Sequence, residues 1–264
     1  MGVRIRCIIA GVLMLIATSM PGAAATAQPP QHYPLDLAKP FGTRSHWTFT
    51  STQAPDIRDP ITDDDTVPGP LRLCLSRDQG KSCSPILGRA LTVDLRPDLF
   101  SEPHYLEVVK IVFPSAGHPL LLLRLASLKS INGDQRTATI ALAYDRTADD
   151  FVIAYEKRTN RNNNQEIRYV ETGPLRGAIL SAEPTQDAPF AFWVTVSRLD
   201  PANRYTQRLR YRSATRYGDG NMLAVLDSEM PTIQRKLGLW QSGAPLPPGP
   251  CPRPHLARGA LWCR

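Results

Sequence analysis

Three absences narrow the possibilities before any residue is given a role. The 264-residue chain has no Gly-x-Ser-x-Gly elbow, no Ser-x-x-Lys, no His-Glu-x-x-His and no Gly-x-x-x-x-Gly-Lys phosphate loop. The reactions those motifs announce are therefore not written in it. It also lacks any apolar run of the roughly 20 residues a helix needs to cross a bilayer. Finally, it contains no Cys-x-x-Cys pair and no internal repeat, which argues against a zinc ribbon and against a propeller of repeated blades.

What is present begins with an address. Arg4 and Arg6 precede the 11-residue apolar run Cys7 to Ala17, Pro21 breaks it, and Ala25-Thr26-Ala27 supplies small residues for cleavage. Residues 1–27 thus read as a secretory signal peptide with Gln28 as the mature start, giving an exported, periplasmic or extracellular product. Arg-Ile-Arg stands where a lipoprotein leader needs an apolar stretch, so Cys7 is expected to leave with the leader. Losing two arginines and no acid lowers the net charge from +7 to +5. That modest excess suits anionic polysaccharide, lipid headgroups or cell wall better than nucleic acid.

The mature chain keeps Cys74, Cys83, Cys251 and Cys263, an even set that an oxidising compartment converts to disulfides. Cys74 and Cys83 flank a polar turn and Cys251 and Cys263 close the tail, so neighbours are expected to pair. A zinc site through His255 is the competing reading. No cofactor and no metal are expected.

Residues 28–103 read as a wrapping segment with one strand near His46 to Ser51 and a disulfide hairpin. From His104 the pattern changes to eight short alternating or apolar runs: His104 to Phe113, Leu120 to Leu128, Arg136 to Tyr144, Phe151 to Lys157, Glu166 to Glu171, Ala178 to Ala182, Phe190 to Arg198 and Tyr205 to Ser213. Short connections impose antiparallel pairing. The expected fold is all-β: an antiparallel up-and-down meander of about eight strands over 104–226, a closed or partly open barrel, with a two-sheet sandwich as the alternative. In 227–264 a short helix at Pro231 to Leu237 should end at Gly238, followed by an extended Pro-rich tail.

Candidate ligand residues fall in two groups. Alternation in Arg204 to Ser213 (RYTQRLRYRS) places Arg204, Thr206, Arg208, Arg210 and Arg212 on one face, with Tyr205, Gln207, Leu209 and Tyr211 on the other. That comb of guanidinium groups suits carboxylate, phosphate or sulfate, unless acids on a neighbouring strand neutralise it. Loop parity then gathers Asn162, Asn163, Asn164, Arg161, Arg216, Tyr217, Asp219 and Asn221 at one end, a kit for a sugar or polar ligand.

Catalytic candidates are fewer. Glu156 and Glu166 flank the Asn-rich loop as a candidate glycosidase pair, with Glu171 farther along; Ser115, His118 and Asp145 are a candidate triad. The run Asp56, Asp59, Asp63, Asp64, Asp65 has the charge density of a cation loop without its glycine. The leading expectation is a non-enzymatic binding protein for an anionic or carbohydrate envelope ligand. An envelope glycan hydrolase and a structural or assembly factor are the alternatives.

Overall fold

A computed structural model of the chain describes residues 32–62, 65–91, 102–115, 117–160 and 165–264. Residues 1–31 with the leader, Asp63 and Asp64, and residues 92–101, 116 and 161–164 lie outside them. Strands take 48% of the described residues and helices 10%, so the all-β expectation holds.

All eight expected runs are strands: β6 (Tyr105–Ser115), β7 (His118–Lys129), β8 (Gln135–Asp145), β9 (Asp150–Asn160), β10 (Glu166–Tyr169), β11 (Ile179–Pro184), β12 (Ala191–Leu199) and β13 (Tyr205–Arg216). Every pairing is antiparallel and sequential. They do not close. Among the described residues the ladder is interrupted between β9 and β10, leaving one sheet of β6-β7-β8-β9 and another of β10-β11-β12-β13. The expected barrel is therefore replaced by its alternative, two packed sheets.

The reason lies in the first sheet's composition. A barrel has one interior and leaves its outer face to water, whereas β7 is apolar on both faces: Leu121, Leu123 and Leu125 on one, Leu120 and Leu122 on the other, all buried. Each such side chain contributes roughly 1.5–3 kcal/mol only if both faces are covered.

Two layers provide that cover. The second sheet meets one face, where Tyr169, Leu199 and Tyr205 pack on Val112, Leu120, Leu122 and Ala141. The other face takes the N-terminal segment, which is more than a wrapping strap. It contains β1 (His32–Asp36), α1 (Ala38–Phe41), β2 (Thr48–Gln53), the two-residue hairpin β3 (Ile57–Arg58) and β4 (Thr66–Val67), β5 (Leu71–Ser76) and α2 (Ile86–Leu91). Strands β1, β2 and β5 form a three-stranded sheet. From this layer Phe41 and Trp47 meet Phe151 edge-on at 5.1 and 5.4 Å.

The far face of the second sheet is covered by α3 (Val225–Ser228) and α4 (Met230–Lys236), whose Val225, Leu226 and Ile233 pack on Leu180, Phe192, Val194 and Val196. Pro231 opens α4, and Gly238, at φ +71°, ends it as expected. The tail is only partly extended: β14 (Pro254–Ala257) and β15 (Ala260–Cys263) form a hairpin through Arg258 and Gly259, both at positive φ. Both expected disulfides form, Cys74–Cys83 and Cys251–Cys263.

Candidate functional site

Strand β13 carries the expected arginine row, and its geometry corrects the alternation. Ser197 pairs with Gln207 and Val196 with Leu209, so Arg208 is an extra, bulged residue. Upstream of it every side chain changes face. Tyr205 and Gln207 share the Trp193, Thr195 and Ser197 face with Arg210 and Arg212, while Thr206 joins Leu209 and Tyr211 on the helix-covered side. Arg204 stands at the turn, its N–H donating to Asp200 Oδ1 at 2.9 Å.

The comb is thereby reduced to a ledge of Arg208, Arg210 and Arg212 beside Trp193. Arg212 is committed: Nη1 donates to Asp187 Oδ2 at 3.0 Å and Nη2 to the Asp187 and Pro189 carbonyls. Arg210 lies over the Trp193 ring at 4.8 Å. Among the described residues no carboxylate stands within ion-pair distance of Arg208 or Arg210. Across from Arg210 is Thr195, and across from Arg212 is Trp193, so the neighbouring strand supplies no acid.

A second feature lies between the sheets. A polar cleft of about 350 Å³ is lined by Arg124, Thr137, Thr139 and Thr159 from the first sheet and by Gln165 to Arg168 along β10. Arg168 pairs with both carboxylate oxygens of Asp227 and, at 3.1 Å, with Glu166. Glu166 also accepts the Leu226 N–H at 2.9 Å, capping α3. Burial pushes the Glu166 carboxyl above its ordinary range, against the pull of that N–H and of Arg168. Beside the cleft Lys157 bridges to Glu183 at 2.7 Å and to Ser181 at 3.1 Å, tying β9 to β11.

The two expected catalytic glutamates do not converge. Glu156 pairs in register with Ile140, a residue of the N-terminal core, and its neighbour Arg158 reaches the Ala90 carbonyl on that side. Glu166 borders the inter-sheet cleft from the edge strand β10 but turns its carboxylate to α3 and Arg168, and Glu171 pairs with Lys110. Asp145 Oδ1 accepts the Thr147 and Ala148 N–H groups of its own turn, and among the described residues no side-chain hydrogen bond joins Ser115 to His118, which are register partners at the β6–β7 hairpin end. In the acidic run, Asp59 accepts the Ile61 N–H and closes the β3–β4 hairpin.

At the expected loop end, Asn162, Asn163 and Asn164 lie outside the described residues. Asp219 accepts the backbone N–H groups of Arg216 and Asn221, and Asn221 donates to the Leu261 carbonyl of β15 at 2.8 Å. These two build the turn and hold the tail hairpin. Arg216 and Tyr217 are exposed beside them.

Thr137, Thr139 and Thr159 were not singled out from sequence, although alternation places the first two on one face with Arg124. The missing information was the partner: only tertiary packing sets β10 across from them. No family model, no curated protein and no solved structure matches this chain.

Proposed function

We propose that this chain is an exported binding protein for an anionic polymer of the cell envelope, held on the β13 ledge. The observation that carries the reading is the pair Arg208 and Arg210, two guanidinium groups on one strand with Trp193 beside them and, among the described residues, no acid to neutralise them. A charge pair of this kind on a rigid strand fits repeated carboxylate, sulfate or phosphate groups, because each guanidinium offers a planar fork of donors. The net positive charge adds long-range attraction. The signal-like leader and the two disulfides support export.

The test is retention on immobilised polygalacturonate, heparin or lipopolysaccharide against neutral dextran. Salt-dependent retention on an anionic matrix is expected, weakened at least about tenfold in Arg208→Ala/Arg210→Ala. Equal retention of parent and double variant would remove the ledge from the function, and retention on dextran alone would remove the charge.

A further inference from the structure

The structure assigns a second, compact binding site to the turn that opens β13: a pocket for a terminal tetrahedral oxyanion, such as the phosphate of a phosphomonoester. It is a cavity of about 390 Å³ where the β6–β7 hairpin end, the 173–177 loop and the β12–β13 turn meet. Its polar wall contains Ser115 and His118 from the hairpin, Arg176 from the loop, Arg198 from the end of β12 and Asp200 from the turn after it.

Three observations make this a site for an anion. First, the cationic donors are uncommitted or half-committed. Arg198 spends one N–H on the Pro174 carbonyl at 3.1 Å, which orients the guanidinium and leaves its other donors. Among the described residues no acid stands within ion-pair distance of Arg176 or Arg198. The one carboxylate in the wall, Asp200, is engaged by the Ala202 and Arg204 N–H groups of its own turn at 2.9 Å.

Second, the wall is clamped. Gly177 lies at φ +78°, and a Cβ there would stand 2.7 Å from the Pro114 carbonyl oxygen. Only glycine lets the loop approach the hairpin this closely. Tyr205 then donates its hydroxyl to the Gly177 carbonyl at 2.9 Å. The backbone elements that carry the donors are therefore held against one another.

Third, the donors come from three separate elements. A planar carboxylate is satisfied by one fork, whereas a terminal phosphate presents three oxygens in three directions. Arg176, Arg198, His118 and Ser115, which border one cavity from three elements, suit the second shape. The volume falls at the low end of small-ligand pockets, enough for a phosphate with a short attached group.

This site is independent of the Arg208 and Arg210 ledge, and the experiment separates them. Calorimetric titration of the full protein at low ionic strength uses inorganic phosphate, glycerol 3-phosphate, acetate and glycerol. Saturable binding of the two phosphates is expected with a Kd of about 1 mM or tighter, and weaker binding of acetate and glycerol. Arg176→Ala and His118→Ala, whose side chains make no hydrogen bond among the described residues, should each weaken phosphate at least about tenfold with unchanged melting. Arg208→Ala/Arg210→Ala should leave it intact. Absence of saturable phosphate binding, acetate binding as tightly as phosphate, or parent-like affinity in Arg176→Ala would each overturn the assignment.

Discussion

Tyr205 and Leu209, four residues apart on one strand, face opposite sides of their sheet: Tyr205 meets Tyr155 of the first sheet at 5.7 Å, while Leu209 packs under α3 and α4. Regular alternation would put both on one face. The bulge at Arg208 separates them, and one residue therefore decides which side chains hold the two sheets together.

Deleting Arg208 should remove that offset and turn Tyr205 away from the first sheet. A loss of more than about 3 kcal/mol in urea unfolding is expected for the deletion, against roughly 0.5 kcal/mol or less for Arg208→Ala, which keeps the count of residues. Similar stabilities for the two would mean that the bulge does not set the packing.

Asp149 ties the N-terminal layer to the β8–β9 turn. Its carboxylate accepts the Ser45 and Tyr144 hydroxyls, both at 2.5 Å, and the Trp47 indole N–H at 3.3 Å. The Ser45 hydroxyl first, then that of Tyr144, holds the carboxyl well below the usual carboxylate range. A depressed folded-state pKa contributes stability above the unfolded value, about 3.9 for Asp, and loses it as pH falls further. Melting temperature should therefore drop more steeply below about pH 4 in the parent than in Asp149→Asn, the two curves converging in acid. Parallel curves would show that the carboxylate contributes nothing.

Glu229 is fully buried, yet it is satisfied: its oxygens accept the Thr215 N–H and hydroxyl at 2.8 Å and the Tyr211 hydroxyl at 2.9 Å. Burial first, and then Glu229, pushes the Tyr211 phenol far above its ordinary range. Glu229→Ala strands those donors beneath α4 and should cost at least about 2 kcal/mol. Chemical denaturation measures it, and near-neutral stability would mean that water replaces the carboxylate without loss.

Gly177 and Gly173 allow a matched comparison four residues apart. Both have positive φ, but only Gly177 has backbone within van der Waals reach of an added Cβ. Gly173→Ala should cost about 1–2 kcal/mol of left-handed strain, and Gly177→Ala distinctly more, with weakened phosphate binding. Equal melting shifts for the two would contradict the close approach to Pro114.

The disulfides enclose sequence separations of 9 and 12 residues. Removing either pair with serine should lower stability by about 2.5–3 kcal/mol in the chain-entropy account. For Cys251 and Cys263 the loss should concentrate in the tail hairpin. Hydrogen exchange at Leu256 and Leu261 reads that directly, and unchanged protection there would show that the Asn221 and Thr232 contacts suffice.

The sequence by itself determined the strands of the meander and the helix after it. Eight runs of apolar alternation separated by turn residues became eight antiparallel strands, Pro231 and Gly238 bounded a helix, and neighbouring cysteines paired, because each depends on chemistry within about a dozen residues. Where those elements meet was decided only by tertiary structure. Whether β9 pairs with β10 or leaves it to another sheet depends on which layers cover Leu120 and Leu121, and those come from distant parts of the chain. The face shown by Tyr205 depends on one unpaired residue that no periodicity reveals. Arg176, His118 and Arg198 lie far apart in sequence, and only the approach of Gly177 to Pro114 brings them around one cavity.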